Sequence, residues 1–200
     1  MSLLFETIKV ANNTLLNLDY HNARISQARR KLFGADDNWD LQTLIQLPEL
    51  NSNLVYKCRL IYDEYLQSLD FQPYNMRILH TLKLVESPEI DYGLKYLDRS
   101  ALDLIKQDNS NFDDIIIVQS NRLTDCSFAN IVFYDGEKWL TPGSPLLKGI
   151  KRQKYIDHQM IFEQDIVVSD LKFFTKARII NAMIDLEESQ DILMDNIIKI

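Results

Sequence analysis

The sequence predicts a mixed α/β (α+β) protein whose 200 residues are organised in two halves. Three observations favour this class. Stretches that alternate apolar and polar residues, as half-buried strands do, recur along the chain. Stretches with helical start and stop signals lie between them. The segment from Asp114 to Gln119 carries three isoleucines and a valine, which is typical of a strand buried on both faces. These patterns leave the topology open.

Local signals place the elements of the first half. Asn12-Asn13 suits a tight turn between two strands. Asp19 is expected to cap a helix that Gly34 ends, and Pro48 stops a shorter helix. The predicted elements are a strand over 3–10, a strand near 15–18, a helix over 20–33, a short helix over 40–46, and strands over 54–62 and 76–85.

The second half carries signals of the same kinds. Asp135-Gly136 predicts a hairpin, and Ser169 is expected to cap a short helix. The predicted elements are a helix over 101–107, the buried strand over 114–119, hairpin strands over 129–134 and 138–140, a helix over 151–160 and a core strand over 179–184. We place the domain boundary after residue 87, within a linking segment at 86–91. This predicts a small α+β domain over 1–87 and a larger domain over 88–200.

Composition excludes several classes of protein. The net charge of −7 argues against a nucleic-acid binder. No apolar run approaches the ~20 residues that span a bilayer, so no membrane partner is expected. Two cysteines, Cys58 and Cys126, and three histidines fit neither a disulfide framework nor a metal site. We therefore expect a cytoplasmic protein without a metal.

Four segments together resemble the class IV aminotransferase superfamily, which binds pyridoxal 5′-phosphate (PLP) and is also called PLP fold type IV. Each segment alone is weak, but they occur in the family's order over nearly the whole chain. The segments are Phe5-Glu6-Thr7-Ile8, His21-Asn22-Ala23-Arg24-Ile25, Lys95-Tyr96-Leu97-Asp98-Arg99, and the run from Thr124 through Asn130-Ile131, Thr141-Pro142 and Leu147-Lys148-Gly149-Ile150-Lys151-Arg152.

The resemblance implies two small α/β domains with PLP at their junction, and Lys95 as the lysine that binds PLP covalently. A Schiff base needs a lysine amine, and burial or nearby cations make that amine available. The chain offers thirteen lysines, most of them expected at the surface. Lys83, in a strand pattern that would point it to water, is the plain competitor.

The resemblance also implies a set of phosphate contacts. The phosphate dianion favours fixed positive charge and backbone N–H donors. Arg24 matches the family's phosphate arginine, although a helix-surface arginine is the alternative. Gly149-Ile150-Lys151 resembles the family's second contact, made by backbone amides at a helix start, so the side chain of Lys151 is not implied. Leu147, which begins the same motif, is also expected to bind the cofactor. Asn181 resembles a last contact, with a turn-forming asparagine as the alternative.

Asp125 occupies the place of a family glutamate beside the pyridine nitrogen. A carboxylate there favours the protonated ring that makes PLP an electron sink. Aspartate is one methylene shorter, so the backbone must come closer, a water must bridge, or the ring is less firmly protonated. The alternative is an ordinary turn residue.

Two further positions bear on the reaction. Thr7 matches a threonine that assists proton transfer in the family's lyases, and a plain strand residue is its alternative. Arg59 matches a substrate-facing arginine of aminotransferase relatives, and an exposed edge strand would explain it equally. His21 and Cys126 are expected to be structural: a helix-packing histidine and a small buried hydrophobe.

The chain departs from the family pattern at its start and after Lys95. A strand that usually precedes Phe-Glu-Thr is expected to be missing, and Asp98-Arg99 replace a tyrosine of branched-chain aminotransferases. The resemblance favours a lyase similar to 4-amino-4-deoxychorismate lyase. The alternatives are an aminotransferase for D-amino or branched-chain amino acids and a PLP-binding homologue without turnover. It also implies a small amino-acid-like substrate and a homodimer.

Overall fold

A computed structural model describes residues 2–199. They form two compact units: residues up to Met76 with Leu94–Asp98, and Arg77–Gly93 with the chain from Arg99 onward. Strands dominate both units and helices are few, which confirms the mixed α/β class. The predicted domain boundary after residue 87 stays a prediction. None of the helices within residues 2–199 is long and apolar enough to cross a membrane.

The first unit is built on a four-stranded antiparallel sheet of order β2-β1-β3-β4. Apolar residues of one face of β1, such as Leu4 and Ile8, pack with Leu60 of β3 and Ile25 of the long helix. This packing follows from strand alternation opposite a helix stripe. The elements are β1 (Leu4–Ala11), β2 (Thr14–Leu15), β3 (Tyr56–Tyr62), β4 (Leu66–Pro73), α1 (Leu18–Phe33) and α2 (Leu41–Leu44).

Two predicted boundaries in this unit are wrong. Asn12 and Asn13 both adopt positive φ, so the turn before β2 is tight. Strand β2 ends at Leu15 instead of reaching Leu18. Asn17, also at positive φ, then redirects the chain and precedes α1. Asp19 is therefore inside the first turn, where its charge suits the helix dipole, and is not the cap.

The segment Leu94–Asp98, which follows Arg77–Gly93 in the sequence, pairs with strand β1 of the first unit's sheet. The amide of Phe5 donates to the carbonyl of Lys95 over 3.0 Å, and the amide of Leu97 donates to the carbonyl of Leu3 over 2.8 Å. Leu4 and Tyr96 form the bridge between these bonds. Lys95 is thus fixed opposite Phe5 by backbone pairing with β1.

The second unit is built on a larger mixed sheet. Its main path runs β10-β9-β8-β7-β6-β5-β13, and β11 joins β8 and β12. Five of the six residues of β6 are buried, which confirms the expected strand with two covered faces. The elements are β5 (Leu82–Glu86), α3 (Ser100–Asp108), β6 (Asp114–Gln119), β7 (Arg122–Cys126), β8 (Asn130–Tyr134), β9 (Trp139–Pro142), α4 (Ile150–Asp157), β10 (Ile161–Gln164), β11 (Lys176–Ile180), β12 (Ile192–Leu193), β13 (Ile197–Ile198) and two 3-10 turns at Val168–Phe173 and Met194–Asn196.

Polar capping explains where this unit differs from prediction. The Asp113 carboxylate accepts from the amides of His80 and Thr81, so the strand predicted from 76 begins only at Leu82. The Asp170 carboxylate accepts from the amide of Val167 and holds the first 3-10 turn, where Ser169 was expected to act. The strand predicted over 179–184 ends at Ile180.

Candidate active site

One face of the first unit's sheet gathers three of the predicted residues around an aromatic ring. Lys95 Nζ lies 4.5 Å from the ring centroid of Phe5, and the guanidinium carbon of Arg59 lies 5.1 Å from the same centroid. Thr7 is on the same side of β1 as Phe5 and is the register partner of Arg59. Lys95, Thr7 and Arg59 therefore share one surface of the sheet.

Arg59 does not lie on an edge strand. Its strand β3 is paired on both sides, by β1 and by β4, so the alternative that explained Arg59 by an exposed edge is wrong. Its Nε is buried and has no hydrogen-bond partner among residues 2–199. A buried guanidinium N–H without a partner carries an unmet desolvation cost, which a bound carboxylate would relieve.

Lys83, the competitor of Lys95, is engaged elsewhere. Its ammonium donates to the carbonyl of Lys199 over 2.8 Å and lies 5.9 Å from the Phe112 ring. Lys83 is part of β5 in the second unit, whereas Thr7, Arg24 and Arg59 are in the first unit with Lys95.

The opposite face of β1 carries a buried charge cluster. Glu6 is fully buried, and its carboxylate accepts from Arg24 Nε over 2.7 Å and also from Arg24 Nη2. His21 Nδ1 lies 2.6 Å from the same carboxylate. Burial opposes ionisation of Glu6, but the charge of Arg24 and the contacts with His21 outweigh it and hold the pKa of Glu6 well below its usual range.

This cluster fixes the position of Arg24. The Arg24 side chain is only 14% exposed and donates two hydrogen bonds to the Glu6 carboxylate, so Arg24 is not an ordinary helix-surface arginine. Burial lowers the pKa of His21 despite the neighbouring Glu6, which favours a neutral ring that donates from Nδ1. His21 is thus buried on α1, as expected of a packing histidine.

The role of Glu6 was not predicted, although the sequence contains its signal. Strand alternation places Glu6 on the same face as Leu4, Ile8 and Val10, all of them buried core residues. A glutamate at a core-facing position must be paired with a cation or lose its charge. That requirement pointed to a buried partner for Glu6.

Asp125 lies within β7, so the interpretation as a turn residue is wrong. Its carboxylate is buried and accepts from the amide of Leu147 over 2.8 Å and from Asn130 Nδ2 over 2.7 Å. Burial raises the pKa of Asp125 to about 6, because it outweighs these hydrogen bonds and the charge of Arg152. Asp125 is therefore a carboxyl group able to share a proton near neutral pH.

Helix α4 begins beside this carboxylate network. Gly149 is its N-cap residue, and no side chain caps the helix start. The first amides of a helix lack partners within the helix, so the turn at Ile150 and Lys151 suits an anion. The Lys151 side chain is buried and its ammonium pairs with Asp185, so this side chain is engaged within the unit, and the predicted backbone contact with the phosphate stays a prediction.

Asn181 forms a turn after β11, and its predicted contact with the phosphate stays a prediction. Its side-chain oxygen accepts from the amides of Met183 and Ile184, over 2.8 and 3.1 Å. These bonds end β11 and explain why the predicted strand stops. Cys126 is buried, and burial raises the pKa of its thiol well above the usual value, as suits a structural residue.

Each unit by itself carries groups of a kind that a PLP cofactor binds. The first unit offers an amine and a positioned arginine; the second offers a buried carboxyl group and an uncapped helix start. Within residues 2–199, no cluster of three or more His, Cys, Asp or Glu side chains could hold a metal ion.

Comparison with known proteins gives the family. A model of the amino-transferase class IV family matches residues 3–186. The chain belongs to this family, which confirms the expected PLP-dependent enzyme class and its PLP cofactor. An uncharacterized protein of Haemophilus influenzae is 35% identical over 182 residues, covering 90% of this chain and 97% of that protein.

Solved structures agree with the fold. A candidate 4-amino-4-deoxychorismate lyase from Haemophilus somnus is 30% identical with a TM-score of 0.86, covering 93% of this chain and 98% of that one. Another candidate lyase of that name, from Legionella pneumophila, is 20% identical with a TM-score of 0.69, covering 96% and 82%. A hypothetical aminotransferase from Mycobacterium tuberculosis, solved in a PLP-bound form, is 15% identical with a TM-score of 0.76, covering 96% and 80%.

Proposed function

We propose that this chain is a PLP-dependent lyase that eliminates pyruvate from 4-amino-4-deoxychorismate and leaves 4-aminobenzoate. The observation that carries the proposal is the likeness, over nearly the full length of both chains, to the candidate lyase from Haemophilus somnus. The Lys95-Tyr96-Leu97-Asp98-Arg99 segment supports it, because it resembles the form found in lyases of this kind.

In this proposal the first unit supplies the proton-transfer groups. PLP, when bound, supplies an electron sink for the charge that develops at the substrate's α-carbon. Lys95 Nζ holds the cofactor between turnovers and takes the proton from the α-carbon during them. Thr7 Oγ1, on the same face of the sheet, assists the proton's return. The Phe5 ring lies against Lys95 Nζ and keeps water from one side of it.

Anion binding is divided between charge and backbone. Arg24, oriented by Glu6, supplies fixed positive charge to the phosphate. The amides of Ile150 and Lys151 at the start of α4 supply further donors, with Leu147 and Asn181 holding the adjacent turns. Asp125 would supply the carboxyl group that favours a protonated pyridine ring in the bound cofactor.

An aminotransferase is the second candidate, and Arg59 is the observation that favours it. Its buried Nε lacks a partner among the described residues and lies on the same face as Lys95 and Thr7. A guanidinium in that position suits the α-carboxylate of an amino acid, including a D-amino or branched-chain acid. The same carboxylate group occurs in the lyase substrate, so Arg59 is compatible with both reactions.

A comparison of products separates the candidates. The PLP-loaded protein is incubated with 4-amino-4-deoxychorismate or with a panel of D-amino and branched-chain amino acids, without a keto acid. Pyruvate release without formation of pyridoxamine phosphate supports the lyase. Pyridoxamine phosphate formed from an amino donor, with no pyruvate from the first substrate, overturns it in favour of the aminotransferase. Stable PLP binding with neither product indicates a homologue without turnover.

From the family likeness we also propose a cytoplasmic homodimer, with neither nucleic acid nor a membrane as partner. The chain has a mass of 23.4 kDa. Sedimentation equilibrium of the PLP-loaded protein should give twice this mass. A monomer with full activity would contradict the dimer.

A further inference from the structure

Asn130 joins two parts of the second unit that the proposed function assigns to opposite ends of the cofactor. Its side-chain NH₂ group donates to Asp125 Oδ1 over 2.7 Å and to the carbonyl of Leu147 over 2.9 Å. Both partners are acceptors, so the amide can have only this orientation. The two N–H donors of one side chain therefore connect the carboxyl group with the turn before α4.

The loop closes on itself through a third bond. The amide of Leu147 donates to Asp125 Oδ2 over 2.8 Å, while the carbonyl of Leu147 accepts from Asn130. Each oxygen of Asp125 thus receives one hydrogen bond from this ring of three residues. Asp125 and Asn130 are both buried, at 4% and 5% exposure, so water competes little for these bonds.

Gly149 is where this ring meets the start of α4. Its φ of −66° and ψ of 143° are open to any residue, so its backbone conformation does not require glycine. A Cβ at this position would overlap Asn130 Oδ1 and lie 3.2 Å from Asn130 Cγ. The Asn130 side chain is therefore what leaves no room for a Cβ at position 149.

We propose that Asn130 is a positioning residue that sets the distance between the Asp125 carboxyl group and the amides of Ile150 and Lys151. This rests on the proposed function, in which those groups bind the ring nitrogen and the phosphate of PLP. Asn130 makes no contact with the reacting atoms in this scheme. Its effect is to hold two binding elements in the one spacing that fits a ligand spanning both.

The first test concerns the packing and uses the protein without cofactor. Gly149→Ala should lower the urea midpoint of unfolding because of the overlap with Asn130. Adding Asn130→Ala should remove the overlap. The double variant should therefore lose less stability than the sum of the losses measured for the two single variants. Equal loss from Gly149→Ala with and without the Asn130 side chain would overturn the proposed contact.

The second test concerns the spacing and compares three probes: PLP, pyridoxal and inorganic phosphate. Asn130→Ala should weaken PLP binding by about tenfold, the loss expected when one positioning set of hydrogen bonds disappears. Each of the two smaller probes should lose clearly less, because neither spans both elements. Ser189→Ala, which removes another buried side-chain bond, to the amide of Ile179, should leave the ratio of the three affinities unchanged.

The outcomes separate the two proposals. If the wild-type protein binds no PLP, the proposed function fails, and the role of Asn130 in cofactor spacing fails with it. If the wild-type protein binds PLP but Asn130→Ala weakens all three probes by the same factor, only the positioning role is refuted. A larger loss for PLP than for either fragment supports it.

Discussion

Replacing Glu6 by glutamine tests whether the buried cluster on α1 and β1 holds Arg24 by charge. The carboxylate is fully buried between Arg24 and His21, and the Arg24 side chain is 14% exposed. Removing one partner of a buried ion pair costs roughly 3–5 kcal/mol. Because Arg24 keeps some contact with water and glutamine still accepts a hydrogen bond, we expect the lower end of that range.

Urea unfolding at pH 7 measures this loss, and Asp165→Asn is the matched control. Asp165 pairs with Arg122 Nε at 2.8 Å, close to the 2.7 Å between Arg24 Nε and Glu6, but its side chain is 60% exposed and that of Arg122 is 49% exposed. Exposed pairs contribute less than about 1 kcal/mol. A loss in Glu6→Gln no larger than that in Asp165→Asn would refute the reasoning.

The pH dependence gives a second check on Glu6. Its pKa is lower in the folded protein than in the unfolded chain, so the unfolded state binds more protons in acid. The stability that Glu6 contributes is present above its ordinary pKa of 4.5 and is lost as the pH falls below it. The difference between wild type and Glu6→Gln should therefore shrink below about pH 4.5. A difference that stays constant down to pH 3 would contradict this.

Three further predictions concern Asp125, Asp114 and Arg59. For Asp125, burial raises the pKa from 3.8 to about 6. The free energy of unfolding should therefore fall by about 3 kcal/mol as the pH rises between these values. Asp125→Asn should abolish that slope in urea unfolding, and an unchanged slope would count against it. Burial also raises the pKa of Asp114, so its charged form destabilises the folded state. The stability of Asp114→Asn relative to wild type should therefore be higher at pH 8 than at pH 4, and a lower relative stability at pH 8 would be contrary evidence. Arg59→Gln should raise the KM for a substrate that carries a carboxylate by at least about tenfold, since a charged hydrogen bond contributes ~1.5–3 kcal/mol. Its affinity for PLP should stay within about twofold of wild type. Loss of PLP binding instead would contradict a role of Arg59 in binding the substrate carboxylate.

The predictable parts of the fold were those set by local patterns. β6 was recognisable because a parallel partner and covered faces demand an apolar run, and α1 because its helical stretch ends at Gly34. β4 was not predicted. A register shift between Ile61 and Tyr62 interrupts the pairing, and exposed residues such as Ser68 and Gln72 make this edge strand look like a loop.

The candidate site was predictable only where a family motif carried it. Lys95, Arg24 and Asp125 were proposed as site residues by resemblance, whereas the partners of their side chains depend on contacts between distant parts of the chain. The pairing of the Lys95 segment with β1 joins residues about ninety positions apart, and no local pattern indicates it. Asn130 was recognised only as a member of the Asn130-Ile131 motif, and its contact with Gly149 needed the folded structure.

The most direct measurement is the location of the covalent PLP link. The protein is loaded with PLP, reduced with borohydride, digested and analysed by mass spectrometry. The wild type should carry the cofactor on the peptide that contains Lys95, Lys83→Ala should do the same, and Lys95→Ala should carry none. Cofactor bound to a different lysine, or no adduct in the wild type, would contradict the assignment of Lys95 as the PLP lysine.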